Sequence, residues 1–320
     1  MQSVKTCVIL VSYRGAEDTA ACVRSLLQSQ RAVEIVVVDN TPHDPALAPA
    51  LAFAPTVTLI RADTNTGFGG GNNIGIQWAA RHSRCDYIFL LNNDTVIYPE
   101  TIARLEEGMN AHPEASILVP RIAYLDHPDL LWYGGGDVDW KRISVSTPGI
   151  NGSATAPLAM QEREVSFATG CALFVRRPAM RQLRGFDPRF FMYEEDVDLC
   201  LRAREQGLRI LYLPDSLLLH RIQGSSRGPN QDRTNFWATD NPRLPFLCYH
   251  VVRNRVLNLL RHAHGKDRCL ALLFFPLYLL RRALPFLRHG RLDAILAMLR
   301  GIHAGCTVRH PVPIPEWTAE

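Results

Sequence analysis

The sequence predicts an α/β protein: a doubly wound, mostly parallel sheet with helices on both faces, followed by a C-terminal helical extension. Three observations lead there. Short Val/Ile/Leu runs alternate with helical patterns through the first half, those runs are continuously apolar, and from Leu247 onward the chain reads as helical and basic. Continuous apolar runs suit strands buried on both faces, as parallel strands between layers of helices are. A β-α-β-α order then builds an open sheet with crossovers on both sides.

The strands expected from these runs are TCVILVSY (6–13), VEIVVVDN (33–40), VTLIRA (57–62), YIFLLNN (87–93) and ASILVPRI (115–122). Between the first two, Ala21, Val23, Leu26 and Leu27 give a helix its apolar face. Pro99 opens a second helix that runs to about Ala111, since proline fits the first helical position. Residues 124–164, rich in Gly, Pro, Ser and Thr around WYGGGDVDW, read as loops with short strands, a flap or insertion. Regular structure returns with VSFATGCALFVRR (165–177). An acidic helix from Glu194 to Gln206, closed by Gly207, and the strand RILYLP follow. The division expected is a domain over 1–245 and a basic, apolar helical extension over 246–320.

With 47% hydrophobic and 21% charged residues in 320, the composition is that of a globular protein, which excludes a disordered tail protein or a disulfide miniprotein. The net charge of +4 hides an asymmetry. Residues 246–320 hold eleven Lys/Arg against four Asp/Glu, whereas 1–245 hold 24 against 27. A basic end on an acidic body points to membrane headgroups or a polyanion. Nucleic acid is disfavoured, because the basic excess lies among apolar helices without interleaved aromatics. Eight scattered cysteines form no CxxC pair, so neither a zinc site nor a disulfide framework is expected, and a reducing cytosol fits best. The opening MQSVKTCVILVSYRG lacks a signal-peptide layout. The longest apolar run, CLALLFFPLYLL (269–280), is broken by Pro276 and falls short of the ~18–20 residues of a membrane span. A soluble or peripheral protein is expected.

Ligands of open α/β sheets sit at the carboxyl ends of the strands. Two strands end there in acids, Asp39 and Asp94. Either alone reads as a turn or helix cap, and two on one edge shift the reading toward a site. Asp94 stands in Asn92-Asn93-Asp94-Thr95, oxygen donors that suit a hard divalent cation bridging to phosphate. The run Asn65-Thr66-Gly67-Phe68-Gly69-Gly70-Gly71-Asn72-Asn73-Ile74-Gly75 fails both the dinucleotide fingerprint and the P-loop spacing. It reads as a flexible turn at a helix start, either structural or a place of close backbone approach to a ligand. Glu194, Glu195, Asp196 and Asp198 put four acids in five residues, more than a helix N-terminus needs. Crowded carboxyls raise one another's pKa, as a general base requires. His220, beside Gln223-Gly224-Ser225-Ser226, is either structural or a ligand.

Taken together, VSY near the start, VVDN (37–40), NTGFGGGNNIG (65–75), LLNNDT (90–95), TGCALFVRR (169–177), GFDPRFFMYEEDVDLCLRAREQG (185–207), HRIQGSS (220–226) and YHVVRN (249–254) resemble family 2 of the inverting nucleotide-sugar glycosyltransferases. The likeness is to its bacterial rhamnosyltransferase-like branch and covers 6–260. It implies a GT-A fold and transfer of a sugar from a nucleoside-diphosphate donor with inversion. It implies further that Asp39, with Ser12 and Tyr13, holds the nucleotide, and that Asn65, Gly67, Phe68 and Asn72 line its pocket. By the same likeness Asn92, Asn93 and Asp94 occupy the family's DxD position, with Asp94 and His220 at a divalent metal, Mg2+ or Mn2+. Asn92 stands where the family has its first Asp, so softer metal dependence is expected. Asp196, beside Glu195, is the implied base, and Arg253 is implied at the leaving diphosphate. The implied partners are a nucleoside-diphosphate sugar, with dTDP-L-rhamnose leading, and a glycan or lipid-linked glycan acceptor met by the 124–164 insertion. Location is expected to be cytoplasmic, with peripheral contact at the inner membrane leaflet through the C-terminal helices. A non-catalytic sugar-nucleotide or glycan-binding protein and a nucleotidyltransferase are the competing readings. Against the latter, SYRGAED is not the basic Gly-rich loop such enzymes carry near the N-terminus.

Overall fold

A computed structural model describes residues 4–42, 45–222 and 237–308. The Gln223–Ser226 stretch noted beside His220 and the last twelve residues of the extension lie outside them. The apolar runs form strands where expected. In order come β1 (Thr6–Ser12), α1 (Ala16–Leu27), β2 (Val33–Asp39), α2 (Leu47–Ala50), β3 (Thr58–Arg61), α3 (Gly67–His82), β4 (Tyr87–Asn92), β5 (Thr95–Ile97), α4 (Thr101–Ala111) and β6 (Ala115–Tyr124). Next are β7 (His127–Tyr133), β8 (Asp137–Asp139), β9 (Ser144–Ser146), β10 (Arg163–Glu164), β11 (Ala172–Arg176), α5 (Arg177–Leu183), α6 (Glu195–Glu205) and β12 (Arg209–His220). Three helices complete the described residues: α7 (Leu244–His262), α8 (Gly265–Arg288) and α9 (Leu292–Thr307).

The main sheet has the order β10-β12-β6-β11-β4-β1-β2-β3, with β5 on β12 and β7 on β6. It is mixed and mostly parallel: β3, β2, β1, β4, β6 and β12 run one way, and β11 enters antiparallel between β4 and β6. From β1 the chain winds outward to β3, then returns through α3 to β4 on the other side of β1. The switch point therefore lies between β1 and β4, where open sheets leave a crevice. Cys7–Leu10 of β1 and Ile88–Leu90 of β4 are buried on both faces, as their unbroken apolar character requires.

Several details differ from the sequence expectations. Leu27 is 48% exposed, because α1 buries Cys22, Val23 and Leu26 and the next position turns outward. The glycine run is helix from Gly67 onward rather than a loose turn. Its glycines let α3 lie directly on β1: a Cβ on Gly71 would stand 2.6 Å from Val11 Cγ1, and one on Gly75 2.3 Å from Ile9 Cγ2. The strand RILYLP and the later LLLH are one strand, β12, with a register shift between Leu213 and Leu217. Pro276 does not break the C-terminal apolar run. α8 continues through Pro276 and Pro285 for 24 residues, and by length and composition alone is long and apolar enough to cross a membrane.

The α3–β1 contact yields a prediction. Gly75→Ala should lower unfolding free energy by about 1–3 kcal/mol through overpacking against Ile9, read as a lower urea midpoint. An unchanged midpoint would show that the helix has room to move off the strand.

Candidate active site

The carboxyl ends of β1, β2 and β4 open on a cleft of about 770 Å³. Tyr13 follows β1, Asn40 follows β2, Asn92 ends β4, and Asn93 and Asp94 follow it; all five line it, with Asn65 just before α3 and Gly67 and Phe68 at its start. Asn40 organises that corner. Its Nδ2 donates to the Gly67 carbonyl at 2.9 Å, and its Oδ1 accepts from the Thr66 N–H at 3.0 Å. Gly67 has φ +75°, and a Cβ there would lie 1.9 Å from the Phe191 carbonyl oxygen, so only glycine fits. The Phe68 N–H donates to that same carbonyl at 2.9 Å.

The opposite wall is the turn 191–194 and the first turn of α6. Tyr193 and Glu194 are both left-handed, at φ +68° and +66°, a conformation that persists in non-glycine residues only when surroundings hold it. α7 holds it. Asn254 Nδ2 donates to the carbonyls of Met192 at 2.9 Å and Tyr193 at 2.7 Å, and Asn258 Nδ2 to that of Glu194 at 3.0 Å. Arg255 pairs with the Glu194 carboxylate and donates to the Tyr278 hydroxyl at 3.1 Å.

The four clustered acids take four different environments. Glu194 is neutralised by Arg255. Asp198 is buried, which would raise its pKa, but Arg202, His262 and Arg261 bring it down to about 2. Glu195 has a buried Oε2 without a hydrogen-bond partner; burial and the neighbouring Asp196 push its carboxyl well above the ordinary range. Asp196 accepts from the Gly170 N–H and from the Val197 N–H, both at 2.9 Å. Burial raises it and the Gly170 N–H opposes, leaving a pKa of about 6. Glu195 and Asp196 both line the cleft.

Across from them, His220 Nε2 lies 3.0 Å from Asp94 Oδ1, and the Trp132 ring meets the imidazole edge-on at 4.5 Å. Burial works against the imidazolium, yet Cys171 and Asp94 raise His220 well above its ordinary pKa. Among the described residues, no three His, Cys, Asp or Glu side chains gather to hold a metal by themselves. A hard cation that shares its sphere with phosphate oxygens and water needs only one or two protein ligands. Asp94 offers one, and His220 a second in its neutral form, since a bound cation displaces the imidazole proton. Asn92 Oδ1, buried and without a hydrogen-bond partner, adds a neutral oxygen in the same corner. The residues present fit such an ion.

Four expected residues do not line the cleft. Ser12 is buried with its hydroxyl 3.0 Å from Thr19 Oγ1. Asp39 is buried and accepts from the Thr41 N–H at 3.0 Å, a turn contact. Asn72 lies inside α3 and donates to the Phe68 carbonyl at 3.0 Å. Arg253 donates to the Arg189 carbonyl at 2.9 Å rather than into the cleft. Lining residues the sequence reading passed over include Asn40, Trp132, Tyr193, Arg243 and Phe246. Asn40 had a signal, since it closes the quoted VVDN run, and Trp132 lay in the WYGGG motif; Arg243 and Phe246 had none.

This fold, with its cleft at the switch point, is that of a GT-A glycosyltransferase. Among solved structures, the mannosyltransferase PcManGT from Pyrobaculum calidifontis, in complex with GDP-Man and Mn2+, superposes with a TM-score of 0.55 at 12% identity, covering 97% of this chain and 77% of that one. The chain belongs to glycosyl transferase family 2, whose model matches residues 7–184. Its relatives include rhamnosyltransferases. It is 29% identical over 248 residues to N-acetylglucosaminyl-diphospho-decaprenol L-rhamnosyltransferase of Mycobacterium tuberculosis, covering 69% of this chain and 78% of that protein. It is 26% identical over 172 residues to rhamnosyltransferase WbbL of Escherichia coli K12, covering 50% and 63%.

The turn that presents the acids is open to test. Arg255→Met strands the Glu194 carboxylate, which is 10% exposed, and should cost about 3–5 kcal/mol of stability in chemical denaturation. Adding Glu194→Gln should recover a large part of the loss. A double variant no more stable than Arg255→Met would contradict the pairing.

Proposed function

We propose that the protein transfers L-rhamnose from dTDP-L-rhamnose to a hydroxyl of a cell-surface glycan or lipid-linked precursor, with inversion at the anomeric carbon. It acts on the cytoplasmic side, in peripheral contact with the inner membrane leaflet. One observation carries the reading: a single cleft at the strand ends combines a carboxyl fixed by two backbone N–H groups with an acid–histidine pair among neutral oxygen donors. The named activities of the relatives supply the sugar.

Inverting transfer is one displacement and needs one base. A carboxyl with a pKa of about 6 is ionised at neutral pH and still holds a proton better than an ordinary aspartate does. Asp196 takes the proton of the acceptor hydroxyl as that oxygen bonds to the anomeric carbon. The bond from that carbon to the diphosphate breaks, and its electron pair leaves with the nucleotide. The Gly170 and Val197 N–H groups fix both carboxylate oxygens. Glu195 beside it, raised well above the ordinary carboxyl range by burial and by Asp196, holds its proton more tightly than an ordinary glutamate does. Tyr13, Asn65, Gly67, Phe68, Asn92 and Asn93 bind the nucleotide sugar, and the 124–164 insertion, through Trp132, faces the acceptor. Asp94 and His220 would hold a Mg2+ or Mn2+ ion, which supplies charge stabilisation at the departing diphosphate. Asn92, neutral where the family has its first Asp, makes that ion's hold weaker.

Asp196→Asn should lower kcat by about 10²–10⁴ while nucleotide affinity stays within twofold of wild type, roughly half a kcal/mol. An Asn variant with near-normal turnover sinks the base assignment. Because the ionised form is the active one, the wild-type rate should fall as pH drops through about 6, read as a kcat/KM profile. Thermal stability with dTDP, UDP and GDP, with and without Mn2+, tests the donor. At ~100 times its dissociation constant with Mn2+ present, dTDP should add about 2.7 kcal/mol, and the same concentration without metal should add less. Stabilisation by UDP or GDP alone would rule out a dTDP-linked donor.

A further inference from the structure

We propose that α8 and α9 form a leucine face on which the protein lies in the surface of an anionic bilayer without crossing it. This rests on the peripheral contact proposed above and is independent of the transfer chemistry. Nine of the seventeen large hydrophobic side chains exposed among the described residues sit on these two helices. On α8, Leu273, Leu277, Leu280, Leu284 and Leu287 are 41–70% exposed, at spacings of four and three that align them along one stripe. On α9, Leu292, Leu296 and Leu299 repeat the spacing at 53–60% exposure. Soluble monomers seldom show water so much contiguous apolar surface.

The other sides of both helices are committed to the protein. α8 buries Ala271, Tyr278 and Phe286, and its Arg282 guanidinium stacks on Trp237 at 4.2 Å. α9 buries Ala294, Ala297 and Met298, and Gly301 and Gly305 press it onto α7. A Cβ at those glycines would meet the Tyr249 and Arg253 carbonyl oxygens at 2.7 and 2.6 Å. Crossing a bilayer would tear α8 from these contacts, including the Tyr278 hydroxyl that receives Arg255. Lying in the interface keeps them.

Charge selects the occupant. Lys266, Arg268, Arg281, Arg288 and Arg300 are exposed around the stripes, while the nearby acids are Asp267 and Asp293, the latter paired with Arg291. A basic rim around leucines matches anionic headgroups over an acyl layer. A second copy would bring basic rim against basic rim. The face is also fastened to the cleft. Arg291, between the helices, donates to the Thr239 and Asn241 carbonyls, directly before Pro242 and Arg243 of the lining. An acceptor carried on a lipid would therefore be presented near the cleft mouth.

The test is flotation of the full chain with vesicles of phosphatidylcholine, with and without phosphatidylglycerol. Wild type should float with the anionic vesicles, high salt should weaken the binding without abolishing it, and alkaline carbonate should extract it. Leu273→Gln/Leu280→Gln/Leu287→Gln should lose flotation, and Arg281→Gln/Arg288→Gln should weaken it about thirtyfold. Both variants should keep the wild-type thermal shift with nucleotide, which shows the fold intact and separates this result from failure of the donor assignment. Equal flotation of wild type and the leucine variant, or none by wild type, overturns the proposal. So does retention after alkaline carbonate, which indicates a span. So does a dimer in sedimentation without vesicles that the leucine changes dissociate, which indicates a second copy.

Discussion

Three successive carbonyls, of Met192, Tyr193 and Glu194, turn toward α7 and are received there by Asn254 and Asn258. The arrangement of the cleft depends on this contact. It holds two non-glycine residues in the left-handed region, and that reversal sets the direction in which α6 begins. The first two residues of α6 are Glu195 and Asp196, so α7 fixes where the carboxyls stand. The same turn offers the Phe191 carbonyl to Phe68 and leaves no room for a side chain at Gly67. The two walls of the cleft are thus joined through one short segment. The helices that follow are part of the site's scaffold as well as an extension.

The acids show how environment divides one composition into separate roles. Glu194, Glu195, Asp196 and Asp198 differ little in intrinsic chemistry. A guanidinium neutralises the first, burial without a partner raises the pKa of the second, two N–H groups orient the third, and Arg202, Arg261 and His262 hold that of the fourth low. Burial, with the nearby Glu194 charge, leaves Asp196 with a pKa of about 6. Pairs of neighbouring acids pushed apart in this way mark acid and base assignments.

Much of the fold was legible in the sequence because strand segments buried on both faces must be apolar, and the centres of β1, β2, β4 and β6 are: Cys7–Leu10, Ile35–Val38, Ile88–Leu91 and Ile117–Val119. The edge of the sheet that carries the site was legible too, from Asn92–Asp94 and from the surplus of acids at α6. What depends on distant contacts was not. The glycines of α3 read as a loose turn because their partners, Ile9, Val11 and Phe191, lie far away in the chain. Asp39, which alone reads as a turn residue, accepts from the Thr41 N–H two residues on, whereas Arg253 donates to the Arg189 carbonyl, which no local pattern signals. The exposed stripe of α8 was hidden by Pro276, which suggested a break where tertiary packing carries the helix through.

The central claim is a single displacement with Asp196 as the only base and no covalent sugar on the enzyme. The most direct measurement is the anomeric configuration of the product, read from its one-bond carbon–hydrogen coupling in NMR with the donor of known configuration as reference. The account predicts inversion relative to the donor. Retention would require a second displacement or front-side attack, and would contradict it.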